Sequence, residues 1–205
     1  MELKEFFEFF KRPAKNLAVF FICGLILGGT AFFALPKSFV SKGTLFVSRI
    51  PEESAEFYTY SGYYAQQTAL SYADTVRGLL ENEVLHAKAL ETLEIPVTDK
   101  NLRNLERKIR VKDGGPQLVG LEVKNNSSEN AAKIWEALTL NIENTSKEIN
   151  LQGDPQLKIT RVKEKPVIQE GYRNLYVFSA VGGLMTWGLG VFFLALKDYL
   201  KEAQN

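Results

Sequence analysis

Two scales of hydrophobic pattern run along this chain. Residues 17–35 and 175–196 are continuous apolar runs without one charged side chain, whereas the stretch between them interleaves apolar and polar positions at helical or strand spacing. At 1.5 Å per residue these runs rise roughly 28 and 33 Å as helices, against a hydrocarbon core of about 30 Å, so both are expected to be transmembrane helices. In the middle, VSKGTLFVS over 40–48 reads as a strand closed by Pro51. Ala65, Ala69, Tyr72, Val76, Leu79, Leu80, Val84, Ala87 and Leu90 then recur at steps of four and three, which predicts one long helix over about 56–93, ended by Ile95-Pro96. Thr98 can cap a second helix over 99–107, with Asp99 in its first turn and Arg103, Arg107 and Lys108 toward its end.

A hairpin is expected next, because Ile109 and Val111 alternate before Asp113-Gly114-Gly115-Pro116, and Val119, Leu121 and Val123 alternate after it. Asn125-Asn126-Ser127-Ser128 supplies an N-cap for a helix whose stripe is Ala131, Trp135, Leu138, Ile142, Thr145 and Ile149, stopped by Gly153-Asp154-Pro155. Residues 156–163 close as a strand. The fold class expected is α+β, with two transmembrane helices flanking an extracytoplasmic domain in which long helices pack on one face of a small mixed or antiparallel sheet. The organisation is a cytoplasmic amphipathic segment over 1–16, the first span over 17–35, the α+β domain over 36–174, the second span over 175–196 and a short cytoplasmic tail over 197–205. In the first of these, Leu3, Phe6, Phe7 and Phe10 recur at helical spacing among charges before Pro13, a pattern suited to the headgroup region, with a partner-binding helix as the alternative.

Charge places the chain more than it explains it. With 25 basic and 24 acidic residues the formal charge is +1, which excludes nucleic-acid binding driven by bulk charge. Residues 36–174 hold 19 of each sign, a neutral surface that says nothing about a ligand. Lys4, Lys11, Arg12 and Lys15 precede the first span and Lys37, Lys42 and Arg49 follow it, which sets the N-terminus in the cytoplasm; the second span votes the other way, but a long loop is largely exempt from that rule. A cleaved signal peptide is the alternative for the first run, with Gly29-Thr30-Ala31 as its small-residue site, but the apolar stretch continues past it through Leu35. Cys23, the one cysteine, lies in that run, so an internal disulfide and a Cys-based zinc site are excluded.

The residue types that do chemistry are sparse. His86, the one histidine, is read as a solvated helix residue, and Gly114-Gly115-Pro116 lacks the lysine and following helix of a phosphate cradle. Glu52-Glu53 and Glu81/Glu83 are read as solvated acids, and the Asn-x-Ser tripeptides at Asn125, Asn126 and Asn144 are discounted as glycosylation acceptors. No catalytic, cofactor-binding or metal-ligating set is expected. Phe57, Tyr58, Tyr60, Tyr63 and Tyr64 crowd one end of the long helix and are read as subunit-interface or core packing, with stacking on sugar rings as the alternative. Within the apolar runs, Gly24 and Gly28 stand four apart, as do Gly182, Thr186 and Gly190, rows that let helices approach closely within the chain or between subunits.

The whole layout resembles the Wzz-type chain-length determinant family, the polysaccharide co-polymerases of bacterial envelopes. The likeness is carried by SKGTLFV over 41–47, by VGLEVKNNSSENAAKIW over 119–135 and by VKEKP over 162–166, in that order and spacing. Pro166 stands for the family's proline-rich signature, Gln169, Gly171 and Leu175 occupy places where further prolines would be expected, and Gly182, Gly183, Gly188 and Gly190 continue the motif. The resemblance implies a homo-oligomer of the bacterial inner or plasma membrane, without catalysis of its own. It would set the length or export of a surface polysaccharide (lipopolysaccharide O-antigen, capsule or exopolysaccharide) beside a polymerase or exporter. Nine residues follow Leu196, so a tyrosine kinase of the kind some relatives carry would be a separate protein. Two other readings stand beside it: an anchored activator or scaffold for such a kinase, and an anchored cell-wall glycan enzyme.

Overall fold

A computed structural model describes residues 14–50 and 60–202. The segment with Leu3, Phe6, Phe7 and Phe10, and the residues Glu52, Glu53, Phe57 and Tyr58, lie outside them. In chain order the elements are α1 (Ala14–Ala34), β1 (Phe39–Arg49), α2 (Tyr60–Leu80), α3 (Glu83–Thr92), α4 (Asp99–Glu106), β2 (Ile109–Gly115), β3 (Leu118–Asn125), α5 (Ser128–Gln152), β4 (Leu157–Arg161), β5 (Val167–Glu170) and α6 (Leu175–Glu202). They form two compact units, one gathering the residues up to Pro36 with those from Tyr172 onward, the other Lys37–Gly171.

In the first unit α1 and α6 pack antiparallel, and both are long and apolar enough to cross a membrane. Their outer faces carry large apolar side chains such as Ile26, Phe33, Leu184 and Met185, exposed on the protein surface. A helix that is apolar all round has no polar stripe to turn toward water. Helix α6 does not stop with the apolar run but continues through Lys197 to Glu202.

In the second unit β1 is the central strand. The sheet order is β2-β3-β1-β4, with β5 pairing β1 beyond β4, and every pairing is antiparallel. Of the two arrangements expected, the antiparallel one is found. Strand alternation turns Ser41, Gly43, Leu45 and Val47 of β1, Val119, Leu121 and Val123 of β3 and Ile159 of β4 toward the helices. There they meet Ala69, Val76 and Leu80 of α2, Leu85, Ala89 and Leu90 of α3, Leu105 of α4, and Ile134, Trp135, Leu138 and Ile142 of α5. Trp135 is wholly buried, with its indole against Gly43, where a Cβ would overlap the ring; its Nε1 donates to the Leu121 carbonyl at 3.2 Å. The Gly43 gap in β1 is therefore what admits the largest core side chain.

Several expectations need correction. The single long helix is two, broken at Glu81-Asn82, because the Asn82 side chain accepts from Val84 N at 2.8 Å and caps a new helix. The break rotates the apolar face, so Val84 is 65% exposed while Leu85 and His86 go inside. His86 is not solvated: it is 2% exposed, with Nε2 at 2.8 Å from the Leu80 carbonyl that ends α2. The stripe of α5 also drifts, leaving Ile149 exposed and burying Ser146 and Asn150. Those polar groups are satisfied together. Tyr72 Oη and Ser146 Oγ are 2.8 Å apart, and Asn150 Nδ2 donates to Ser146 Oγ and to the Leu157 carbonyl, tying α2, α5 and β4. In the hairpin, Asp113 to Gly115 belong to β2, and the tip falls on Pro116-Gln117, with Gly115 at φ 111° and Gln117 at φ 62°. Residues 156–163 yield only the shorter β4, and a further strand, β5, follows it, whose four exposed residues carry no burial pattern to read.

Candidate functional site

The glycine rows of the two apolar segments form the seam between α1 and α6. A Cβ on Gly24 would fall on the Thr186 hydroxyl and the Gly182 carbonyl, and one on Gly28 on the Phe178 carbonyl. A Cβ on Gly182 would lie 2.8 Å from Gly28 Cα, one on Gly183 2.9 Å from the Phe21 ring, and one on Gly190 3.0 Å from the Phe20 ring. The helices thus touch backbone to backbone in the middle and glycine to aromatic toward one end. Thr186 adds a polar link, its hydroxyl 2.8 Å from the Phe20 carbonyl and 3.0 Å from the Gly182 carbonyl. Gly188 differs from its neighbours, since a Cβ there would meet nothing within 4 Å; it lies off the seam.

Where α1 ends, Arg173 donates from Nη2 to the Phe32 carbonyl and places its guanidinium 4.5 Å from the centre of the Phe32 ring. A cation on the terminal carbonyls of a helix complements its dipole, and the ring face supplies a second attraction. Phe32 also meets the Phe178 ring edge-on at 5.7 Å, so Arg173, Phe32 and Phe178 close this end of the helix pair.

The other residues singled out from the sequence do not converge. Tyr60 opens α2, and Tyr63 and Tyr64 stand exposed on its first turns with their rings 6.0 Å apart and nearly perpendicular. They are surface rather than core, which leaves interface and sugar stacking as the roles open to them. Pro166 sits half-buried in the bend between β4 and β5. Glu81 and Glu83 are exposed at the α2–α3 break. Among the described residues no group of three or more His, Cys, Asp and Glu is arranged to hold a metal ion.

Sequence reasoning missed the charge arrangement of the second unit. Ion pairs sit in and beside its clefts, among apolar side chains such as Leu157 and Ile159. In one of about 690 Å³ between α5 and β4, Arg161 makes a bidentate pair with Glu143 at 2.8 and 2.9 Å. Arg49 donates from Nε to Asp154 Oδ2 at 2.6 Å, joining the end of β1 to the turn after α5, and holds that carboxyl below its ordinary range. On the exposed surface of α5, the Lys133 ammonium hydrogen-bonds Glu129 and lowers its pKa, while Lys133 is itself raised. The sheet face turned away from the helices, by the alternation that the register fixes, carries Arg110, Lys112, Glu122, Lys124, Lys42 and Lys158. A period-two reading of charge along the strands would have found this segregation, which a count over 36–174 averages away. The chain matches no protein-family model and no curated protein.

Proposed function

We propose that this chain is a bilayer-anchored scaffold that assembles with copies of itself and regulates the chain length or export of a bacterial surface polysaccharide, without catalysing the polymerisation. In this reading α1 and α6 span the inner or plasma membrane, both termini are cytoplasmic, and the α+β unit stands outside. The observation that carries it is the seam. Two helices of membrane-crossing length, packed through Gly24, Gly28 and Gly182, bracket an α+β unit in sequence. The residues that resemble the chain-length determinants occupy β1, the β3–α5 junction and the β4–β5 bend. A regulator acting by position needs a rigid anchor and an exposed body, and the glycine contacts and the single antiparallel sheet supply these.

Deleting the protein in its host and sizing the surface polysaccharide on gels tests the activity. A changed length distribution, restored by the wild-type chain, is expected; an unchanged one overturns the reading. The topology is tested separately in a Cys23→Ser background with Ser71→Cys, an exposed position of α2. A membrane-impermeant maleimide should label it in intact cells, and labelling only after lysis would place the α+β unit on the cytoplasmic side.

A further inference from the structure

The uncovered face of the sheet is an electrostatically one-sided surface in a chain with almost no net charge. Register puts Arg110 and Lys112 of β2, Glu122 and Lys124 of β3, Lys42 of β1 and Lys158 of β4 on this face. That is five cations against one carboxylate. Glu122, with 17% of its side chain exposed, is the centre of the group: it lies 2.9 Å from Lys112 Nζ and 3.6 Å from Lys42 Nζ. Arg110 is its register partner on one side and Lys42 on the other. Lys124 follows two residues along the same strand. At strand spacings of about 4.8 Å across and 6.8 Å along, the four cations around Glu122 fall within roughly 10–15 Å of one another. Glu122 has too little charge to neutralise them, and among the described residues Arg110, Lys124 and Lys158 make no ion pair.

We propose that this face binds a linear anionic polysaccharide, its carboxylates or phosphates reading the four-cation cluster; the proposal deepens the function proposed above and rests on it. Three features favour such an occupant over an anionic bilayer. The cations lie spread on a flat sheet rather than converging on one point, which suits repeated charges along a chain. Between and beyond them, beside the apolar Val40, Leu118 and Val167, the floor carries the hydroxyls of Thr44, Ser48 and Thr160, which can hydrogen-bond sugar hydroxyls, and Gly120, which leaves room for close approach. Phe46, at 38% exposed, is the one large ring on this floor among the described residues, and an exposed ring face beside hydroxyls can stack on a sugar.

The full-length chain in phosphatidylcholine nanodiscs is titrated with polygalacturonate, with neutral dextran of matched length, and, in competition, with phosphatidylglycerol vesicles. Polygalacturonate should bind with an affinity that falls as salt rises, and dextran should not bind. Replacing Lys42, Arg110, Lys112 and Lys124 together by Gln should weaken binding about tenfold or more. The exposed single change Lys124→Gln, which disturbs no packing, should weaken it about twofold. Glu122→Gln, which frees Lys42 and Lys112, should strengthen binding about threefold, a gain no misfolded variant would give. Replacing Lys100, Arg103, Lys133 and Lys147 on the helices by Gln should leave it unchanged. Equal binding of dextran, an unaffected quadruple variant, a weakened Glu122→Gln, or displacement of the polymer by the vesicles each overturns the proposal. Because the readout is direct binding, its failure differs from an unchanged polysaccharide in the deletion strain, which would overturn the functional reading itself.

Discussion

The two units are held together by opposite means. In the α+β unit the contacts are between side chains, with a wholly buried tryptophan set over a glycine in one cluster with Leu45, Leu121 and Leu138. In the apolar unit the closest contacts set glycine against backbone or ring, and many of the large side chains point outward. On the membrane reading proposed above, the difference follows from the solvent each surface meets. Where water is outside, burying apolar area drives packing, so big residues go in. Where the outside is itself apolar, burial gains nothing and close approach of small residues decides, so big residues go out. The same glycine is thus a gap to be filled in one unit and a contact surface in the other.

Removing a large side chain should break the first kind of packing alone. Trp135→Ala leaves a cavity over Gly43 and removes the indole hydrogen bond to the Leu121 carbonyl, and should cost about 3–5 kcal/mol in urea unfolding of the full chain in mild detergent. It should not alter disulfide formation between cysteines placed at Phe32 and Phe178 in a Cys23→Ser background. Adding a side chain should break the second kind alone. Gly182→Leu should cost about 3 kcal/mol and abolish that crosslink, while Gly188→Leu, facing open space, should change stability by less than about 0.5 kcal/mol. If the Gly188 and Gly182 variants crosslink alike, the seam is wrongly drawn.

The smallest effect sharpens the polar side of the comparison. Arg49 holds the Asp154 carboxyl below its ordinary value, so the pair stabilises the fold above the usual carboxylate range and its contribution is lost as pH falls through the lowered value. Asp154→Asn should therefore cost about 1 kcal/mol near neutrality, and the gap from wild type should close as pH drops below about 4. A gap constant down to pH 3 would mean that the turn geometry, with Gln156 N donating to Asp154 Oδ1, matters and the charge does not.

Much of this contrast was legible in the chain. Unbroken apolar runs with glycines four apart mark the seam, and the alternations around 109–123 and the stripe through Trp135 mark sheet and core, because period and burial are coupled in both. What escaped was set by single side chains or by tertiary register. Asn82 ends one helix and starts another with a local hydrogen bond that no periodicity announces, and His86 is buried as a consequence. Ser146 and Asn150 go inside because Tyr72 and the Leu157 carbonyl wait there. Gly188 looks like its neighbours in sequence, yet helix rotation turns it away from α1. Period two within each strand marks the outward charges, but their gathering into one basic face emerges only when strands distant in sequence are laid side by side.

The short ladder between β1 and β5 has a mechanical consequence. It pairs Phe39 with Glu170 through Lys42 with Val167, and Gly171 N donates to the Ser38 carbonyl at 2.7 Å just beyond it. The chain therefore enters and leaves the α+β unit on neighbouring strands. A load drawing residues 37 and 171 apart would peel this ladder open from its end, one pair at a time, before it reached β4 or the tryptophan. These four pairs are a weak link by design of the register: they give way first and leave the body of the unit folded.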